Sequence, residues 1–86
     1  MATVQERVIA VTAKVLHLDP AEVRLQDHFT ADLGAESVQS IELVAMFEEE
    51  IGIEMEEEAA LSVETVGGAV DFITKVCRDQ NVEVEA

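Results

Sequence analysis

Tryptophan and tyrosine are absent from this chain, and phenylalanine occurs only as Phe29, Phe47 and Phe72. Any core must therefore be largely aliphatic. A single cysteine, Cys77, rules out an internal disulfide framework. It falls near the end of the last predicted helix and reads as a free structural thiol. The one proline, Pro20, follows Asp19 at a helix-start signal instead of interrupting a helix. Bases are scarce: five Lys and Arg stand against nineteen Asp and Glu, for a net charge of −14. So acidic a chain is a poor partner for nucleic acid or for anionic membrane. There is no apolar run long enough to span a bilayer and no signal-peptide pattern, so the expected location is cytoplasmic. His17 and His28 have no cysteine or second histidine at ligand spacing, which argues against a metal centre. Paired with Ser37, either could imitate a nucleophile and base, but no oxyanion-hole motif accompanies them, so no catalytic residue is assigned.

What is present is helical periodicity. Eighty-six residues make one domain, 1–86, and 49% apolar content suffices for one packed set of helices. Thr3 and Glu6 form a capping-box pattern ahead of Val4, Val8, Val11, Val15 and Leu18, with Ile9 and Leu16 widening the stripe. That helix should end near His17. Asp19-Pro20-Ala21-Glu22 starts a short turn, and a long connection with Val23, Leu25 and Phe29 as anchors leads to Gly34. A second helix is predicted from Ser37 to Ile51, closed by Gly52. Its apolar residues fall on two sides. Leu43, Phe47 and Ile51 suit the core, while Val38, Ile41 and Ala45 form a second patch bordered by Glu42, Glu48 and Glu49. Ala59-Ala60-Leu61 predicts a brief third helix. Thr65 caps a fourth from Val66 to about Arg78, whose Gly67 and Gly68 suggest close packing against another helix. No strand is expected. The core spans about residues 4–78, with 79–86 expected to fray.

Between Arg24 and Lys75 lie thirteen acids, from Asp27 to Asp71, and no Lys or Arg. Such a surface keeps a protein soluble, and it also steers basic partners toward the middle of the chain. The Glu-rich segment lacks the ligand pattern of an EF-hand, though clustered carboxylates can attract divalent cations weakly.

The segment Asp32-Leu33-Gly34-Ala35-Glu36-Ser37-Val38 sits just before the second helix. A serine there commonly caps the helix through its hydroxyl. The same spot suits an anion, because free N–H groups and the helix dipole favour negative charge by about 0.3–1 kcal/mol. The residues alone favour the cap, while the spot also suits an anion. The segment resembles the attachment motif of acyl carrier proteins, commonly Asp-Leu-Gly-(Ala/Gly/Ile)-Asp-Ser-Leu. The resemblance extends through Phe29, Ile41-Glu42-Leu43-Val44, Phe47-Glu48-Glu49-Glu50-Ile51, Thr65-Val66 and Val70-Asp71-Phe72-Ile73, and covers about Val4 to Val76.

That resemblance implies an all-α, four-helix carrier bundle with a short third helix and a long loop between helices one and two. It implies 4′-phosphopantetheine, taken from coenzyme A, on Ser37. It implies partner contacts at Glu36, Val38, Gln39, Ile41, Glu42, Ala45, Glu48 and Glu49. It also implies an acyl cavity lined by Phe29, Leu43, Phe47, Ile51, Met55, Ala60, Val63, Ala69 and Ile73. A monomeric, non-enzymatic carrier is expected, served by a phosphopantetheinyl transferase and by acyl-processing synthases or transferases with basic patches. Glu36, Val38 and Gln39 depart from the common Asp, Leu and Asp, which points to a specialised carrier. A general fatty-acid carrier, a freestanding polyketide or peptidyl carrier, and an unmodified acidic interaction module are the other readings.

Overall fold

A computed structural model describes residues 3–82. The order of elements is α1 (Val4–Leu16), a 3₁₀ turn (Pro20–Glu22), α2 (Ser37–Ile51), α3 (Glu57–Leu61) and α4 (Val66–Asp79). The described residues contain four α-helices and no strand, only an isolated antiparallel bridge between His28 and Thr65. The fold is an all-α bundle with a short third helix.

Local chemistry explains the boundaries. The Glu6 N–H donates to Thr3 Oγ1 at 3.1 Å, and the Thr3 N–H reaches back to Glu6 Oε1 at 3.4 Å, which starts α1. His17 ends it in a left-handed conformation, φ 58°, without being glycine. The Ala21 N–H donates to Asp19 Oδ1 at 2.9 Å, so Asp19 caps the 3₁₀ turn that Pro20 opens. Gly52, at φ 80°, closes α2, its N–H donating to the Glu48 carbonyl at 2.9 Å. Thr65 caps α4, accepting from the Gly68 N–H at 3.0 Å.

Helix α1 packs against both α2 and α4, and α3 packs against α2. A helix covered from two sides needs a wide buried face. Val4, Val8, Val11, Thr12, Ala13 and Leu16 are all buried, whereas Val15 and Leu18 are only half-buried. The face is thus turned toward Thr12 and Ala13, away from the Val15–Leu18 side of the expected stripe. Leu43, Phe47 and Ile51 of α2 and Val66, Ala69, Ile73 and Cys77 of α4 complete the core. Burial pushes the Cys77 thiol up from its usual range, which suits a structural thiol and not a nucleophile.

Two expectations bear on particular residues. The tail expected from residue 79 is hydrogen-bonded over its first residues. Asp79 still belongs to α4, the Gln80 carboxamide bonds to both the N–H and the carbonyl of Glu54, and the Val82 N–H donates to the Cys77 carbonyl at 2.8 Å. The remainder of that expected tail, 83–86, lies outside the described residues. The close neighbour of Gly67 is also not a helix. The Gly67 N–H donates to the Leu25 carbonyl at 2.7 Å, and a Cβ there would stand 3.0 Å from that same backbone oxygen. Gly67→Ala is therefore expected to lower stability by about 1 kcal/mol, overpacking outweighing the gain in helix propensity. Urea denaturation checks this, and an alanine variant more stable than wild type would refute the close-approach explanation.

The acids of the central segment lie mostly at the surface. Their mutual repulsion opposes the compact state. Added NaCl should raise the thermal midpoint by screening it. Mg²⁺ or Ca²⁺ should raise the midpoint more per unit ionic strength, because a divalent ion is drawn more strongly to the dense negative surface of the folded chain, although no group of three ligating side chains occurs among the described residues. Thermal scans followed by circular dichroism test both, and a midpoint flat in both titrations would contradict the repulsion.

Candidate functional site

The long connection before α2 is pinned to the start of α4. The Gly67 N–H bonds to the Leu25 carbonyl, the Val66 N–H to the Asp27 carbonyl at 3.0 Å, and the Phe29 N–H to the Glu64 carbonyl at 2.9 Å. From that ledge the chain winds through a compact turn. The Asp32 and Leu33 N–H groups both donate to the His28 carbonyl at 3.0 Å, and the Ala35 N–H donates to the Phe29 carbonyl at 2.8 Å. Gly34 supplies the positive φ of 72° that the turn requires. Asp32 braces it: its carboxylate accepts the His28 N–H at 2.7 Å and lies 3.2 Å from His28 Nδ1. The backbone bond from His28, then its ring, hold the Asp32 carboxyl below the usual range. The sequence reading gave Asp32 no work beyond the motif, and a donor four residues away was the available signal.

This turn presents Ser37 as the first residue of α2. The cap is Glu36, one residue earlier than the serine-cap reading has it. The Glu36 N–H donates to Gln39 Oε1 at 2.9 Å, and the Ser40 N–H donates to the Glu36 carbonyl at 2.9 Å. Ser37 is exposed, and its hydroxyl makes no hydrogen bond among the described residues. The N–H groups of Ser37 and Val38 also have no partner among those residues. A phosphate ester on Ser37 Oγ would face both N–H groups at the positive end of the helix dipole.

Beside Ser37, Val38 is 67% and Ile41 50% exposed, and Ala45 is exposed on the same side. Glu36, Glu42 and Glu49 are exposed around them. Two of the residues expected to face partners also bond within the fold. Gln39 is half-buried and holds the Glu36 N–H. Glu48 is half-buried and its carboxylate accepts the Met55 N–H at 3.0 Å, fastening the connection between α2 and α3. Their side chains are drawn inward by backbone donors that no helix partner satisfies.

An apolar cleft of about 40 Å³ lies between α2, α3 and α4. Leu43 and Phe47 from α2, Ala60 from α3, Ala69 and Ile73 from α4, and Phe29, Met55 and Val63 from the connections all line it. Ile51 does not. It is buried one turn beyond Phe47, past the end of the cleft. Ser40, Val44, Leu61 and Phe72 line it as well and escaped the sequence reading. Ser40, Val44 and Phe47 follow helical spacing and share a face, a signal masked by the polarity of Ser40. Ligand pockets commonly measure about 300–1,000 Å³, so the walls must part before a chain of several methylenes enters.

Fold and site together define a helical carrier domain that presents a serine at the start of its second helix. Residues 6–73 match the family model described as the phosphopantetheine attachment site. Two curated relatives, each named acyl carrier protein, come from Caulobacter vibrioides strains NA1000 and CB 15. Each is 44% identical over 75 residues, which is 87% of this chain and 96% of the relative. The chain belongs to the acyl carrier protein family, whose prosthetic group is phosphopantetheine. No helix among the described residues is long and apolar enough to cross a membrane.

Proposed function

We propose that the chain carries acyl intermediates as thioesters on 4′-phosphopantetheine joined to Ser37, for acyl-chain synthesis in the cytoplasm. The observation that carries this reading is the unbonded, exposed Ser37 hydroxyl at the first position of α2. In the loading step, Ser37 Oγ bonds to the phosphorus that bears the pantetheine arm of coenzyme A. The pyrophosphate P–O bond breaks, adenosine 3′,5′-bisphosphate leaves, and the serine proton passes to a base of the transferase. The arm supplies the thiol that holds the acyl group. This chain's own residues perform no catalysis. The Ser37 and Val38 N–H groups favour the phosphodiester, and the apolar cleft offers a refuge for the acyl chain once its walls part.

Intact mass spectrometry of the protein co-expressed with a broad-specificity transferase tests the reading. One added phosphopantetheine supports it, and an unmodified chain with several transferases would overturn it in favour of an acidic interaction module.

Docking would fall to the exposed patch of Val38, Ile41 and Ala45 with its acidic rim, against basic surfaces on the transferase and on acyl-processing enzymes. Glu42→Lys is expected to slow modification several-fold at low salt, with the deficit shrinking as salt rises, because a rim charge acts mainly on the association rate. Steady-state kinetics at two salt concentrations decide it. Equal rates for variant and wild type at low salt would remove Glu42 from the docking surface. The departures at Glu36, Val38 and Gln39 favour dedicated partner enzymes over the general fatty-acid set.

A further inference from the structure

The sequence allows α2 to start in two ways. Serine is among the preferred cap residues, and glutamate is not. Were the helix to begin one residue later, Ser37 would be the cap and its Oγ would accept the N–H of Gln39 or Ser40. A lone pair of the hydroxyl would then be engaged, and its rotamer would be turned onto the helix end. The observed start is the other one. Glu36 is the cap, and its carbonyl takes the first helical bond, from the Ser40 N–H at 2.9 Å. What holds this start is the side chain of Gln39. At the third helical position it reaches back so that the Glu36 N–H donates to its Oε1 at 2.9 Å. Gln39 is half-buried, as befits a side chain folded against its own helix, while Ser37 is left exposed and unbonded.

We propose that Gln39 is a positioning residue for the modification of Ser37: by holding the Glu36 N–H it selects the helix start that keeps Ser37 Oγ free to attack. The inference rests on the reading of Ser37 as the attachment site. It also gives a physical role to one departure from the common motif. Glutamine's carboxamide spans the distance to the N–H of the residue three before it, whereas an aspartate here would be one methylene shorter. Because the serine-capped start is a competent alternative, loss of a single hydrogen bond shifts the balance between the two by about fivefold. Only molecules with a free Oγ react, so the turnover rate falls with the fraction that keeps the Glu36-capped start, by at most the same factor, and both starts offer the transferase the same exposed patch.

The experiment uses the full chain with coenzyme A, Mg²⁺ and a broad-specificity transferase, and compares wild type, Gln39→Ala, Gln39→Glu and Ser37→Ala. Amide hydrogen exchange at Glu36 is followed by NMR in parallel. Gln39→Ala is expected to lower kcat measurably, by no more than about fivefold, with little change in KM, and to speed exchange of the Glu36 amide. Gln39→Glu keeps an Oε acceptor of the same reach and should restore both kcat and slow exchange. A wild-type kcat in Gln39→Ala, a loss confined to KM, unchanged exchange at Glu36, or a Gln39→Glu variant as slow as the alanine would each overturn the positioning role. Ser37→Ala separates the two readings. If it is still modified, the attachment reading fails and the positioning role with it. If it is inert while Gln39→Ala reacts like wild type, only the positioning role fails.

Discussion

Treated with coenzyme A, Mg²⁺ and a broad-specificity transferase, the wild type is expected to gain one phosphopantetheine per chain, and Ser37→Ala none. The same variant should keep its stability. Replacing a true serine cap by alanine costs about 1 kcal/mol, which in a domain of this size shifts the thermal midpoint by about 4–8 °C. Ser37 is not a cap in this structure, and its hydroxyl has no bond to lose. Its removal should therefore fall within about 0.5 kcal/mol, the range of an ordinary surface change. Intact mass and a thermal melt on the same sample separate the roles. Complete loss of modification with an unchanged midpoint fits a presented nucleophile. A midpoint lowered by several degrees would show the hydroxyl to be a structural cap, and a modified alanine variant would remove Ser37 from the reaction.

Ile73→Ala should have the largest effect on stability. Ile73 is 1% exposed, at the heart of α4, and it also forms a wall of the cleft. Removing its outer methyl groups enlarges a space that is already open, and α1, α2 and α4 hold its edges apart. Little collapse can offset the loss. The expected destabilisation is about 3 kcal/mol, within the usual range of 2–5 kcal/mol for such truncations and a large share of a small domain's stability. The midpoint should fall by more than about 10 °C. Val38→Ala, at a position 67% exposed, should move it by no more than a few degrees. Urea denaturation of the pair checks the contrast. A loss below about 1 kcal/mol at Ile73 would mean that the surrounding helices collapse into the vacated space.

The helices were legible because their punctuation is local. Thr3 with Glu6, Asp19 with Pro20, Gly52 and Thr65 each mark an end through bonds or dihedrals that involve neighbours in sequence. The two-sided character of α2 was legible for the same reason, since helical spacing alone separates Leu43 and Phe47 from Val38 and Ile41. The harder residues were those with more than one possible partner. Ser37 looks like a cap in sequence, yet the helix starts at Glu36, whose N–H is held by Gln39, and the serine is left free. Glu48 looks like a solvated rim acid, yet it reaches Met55, seven residues on. Gln80 looks like the beginning of a tail, yet it holds Glu54, twenty-six residues back.

The sequence by itself determined the all-α class, most helix ends, the acidic central segment and the serine at the start of α2, because propensity, capping and periodicity act within a turn or two of chain. The tertiary structure decided which way α1 turns its buried face, where the cleft ends, why residue 67 is glycine and which polar side chains are drawn inward. Those outcomes depend on distant segments competing for the same space and the same backbone donors. Ile51 falls outside the cleft because it is buried in the core one turn beyond Phe47, and Gly67 is needed because the Leu25 carbonyl stands where a methyl group would be.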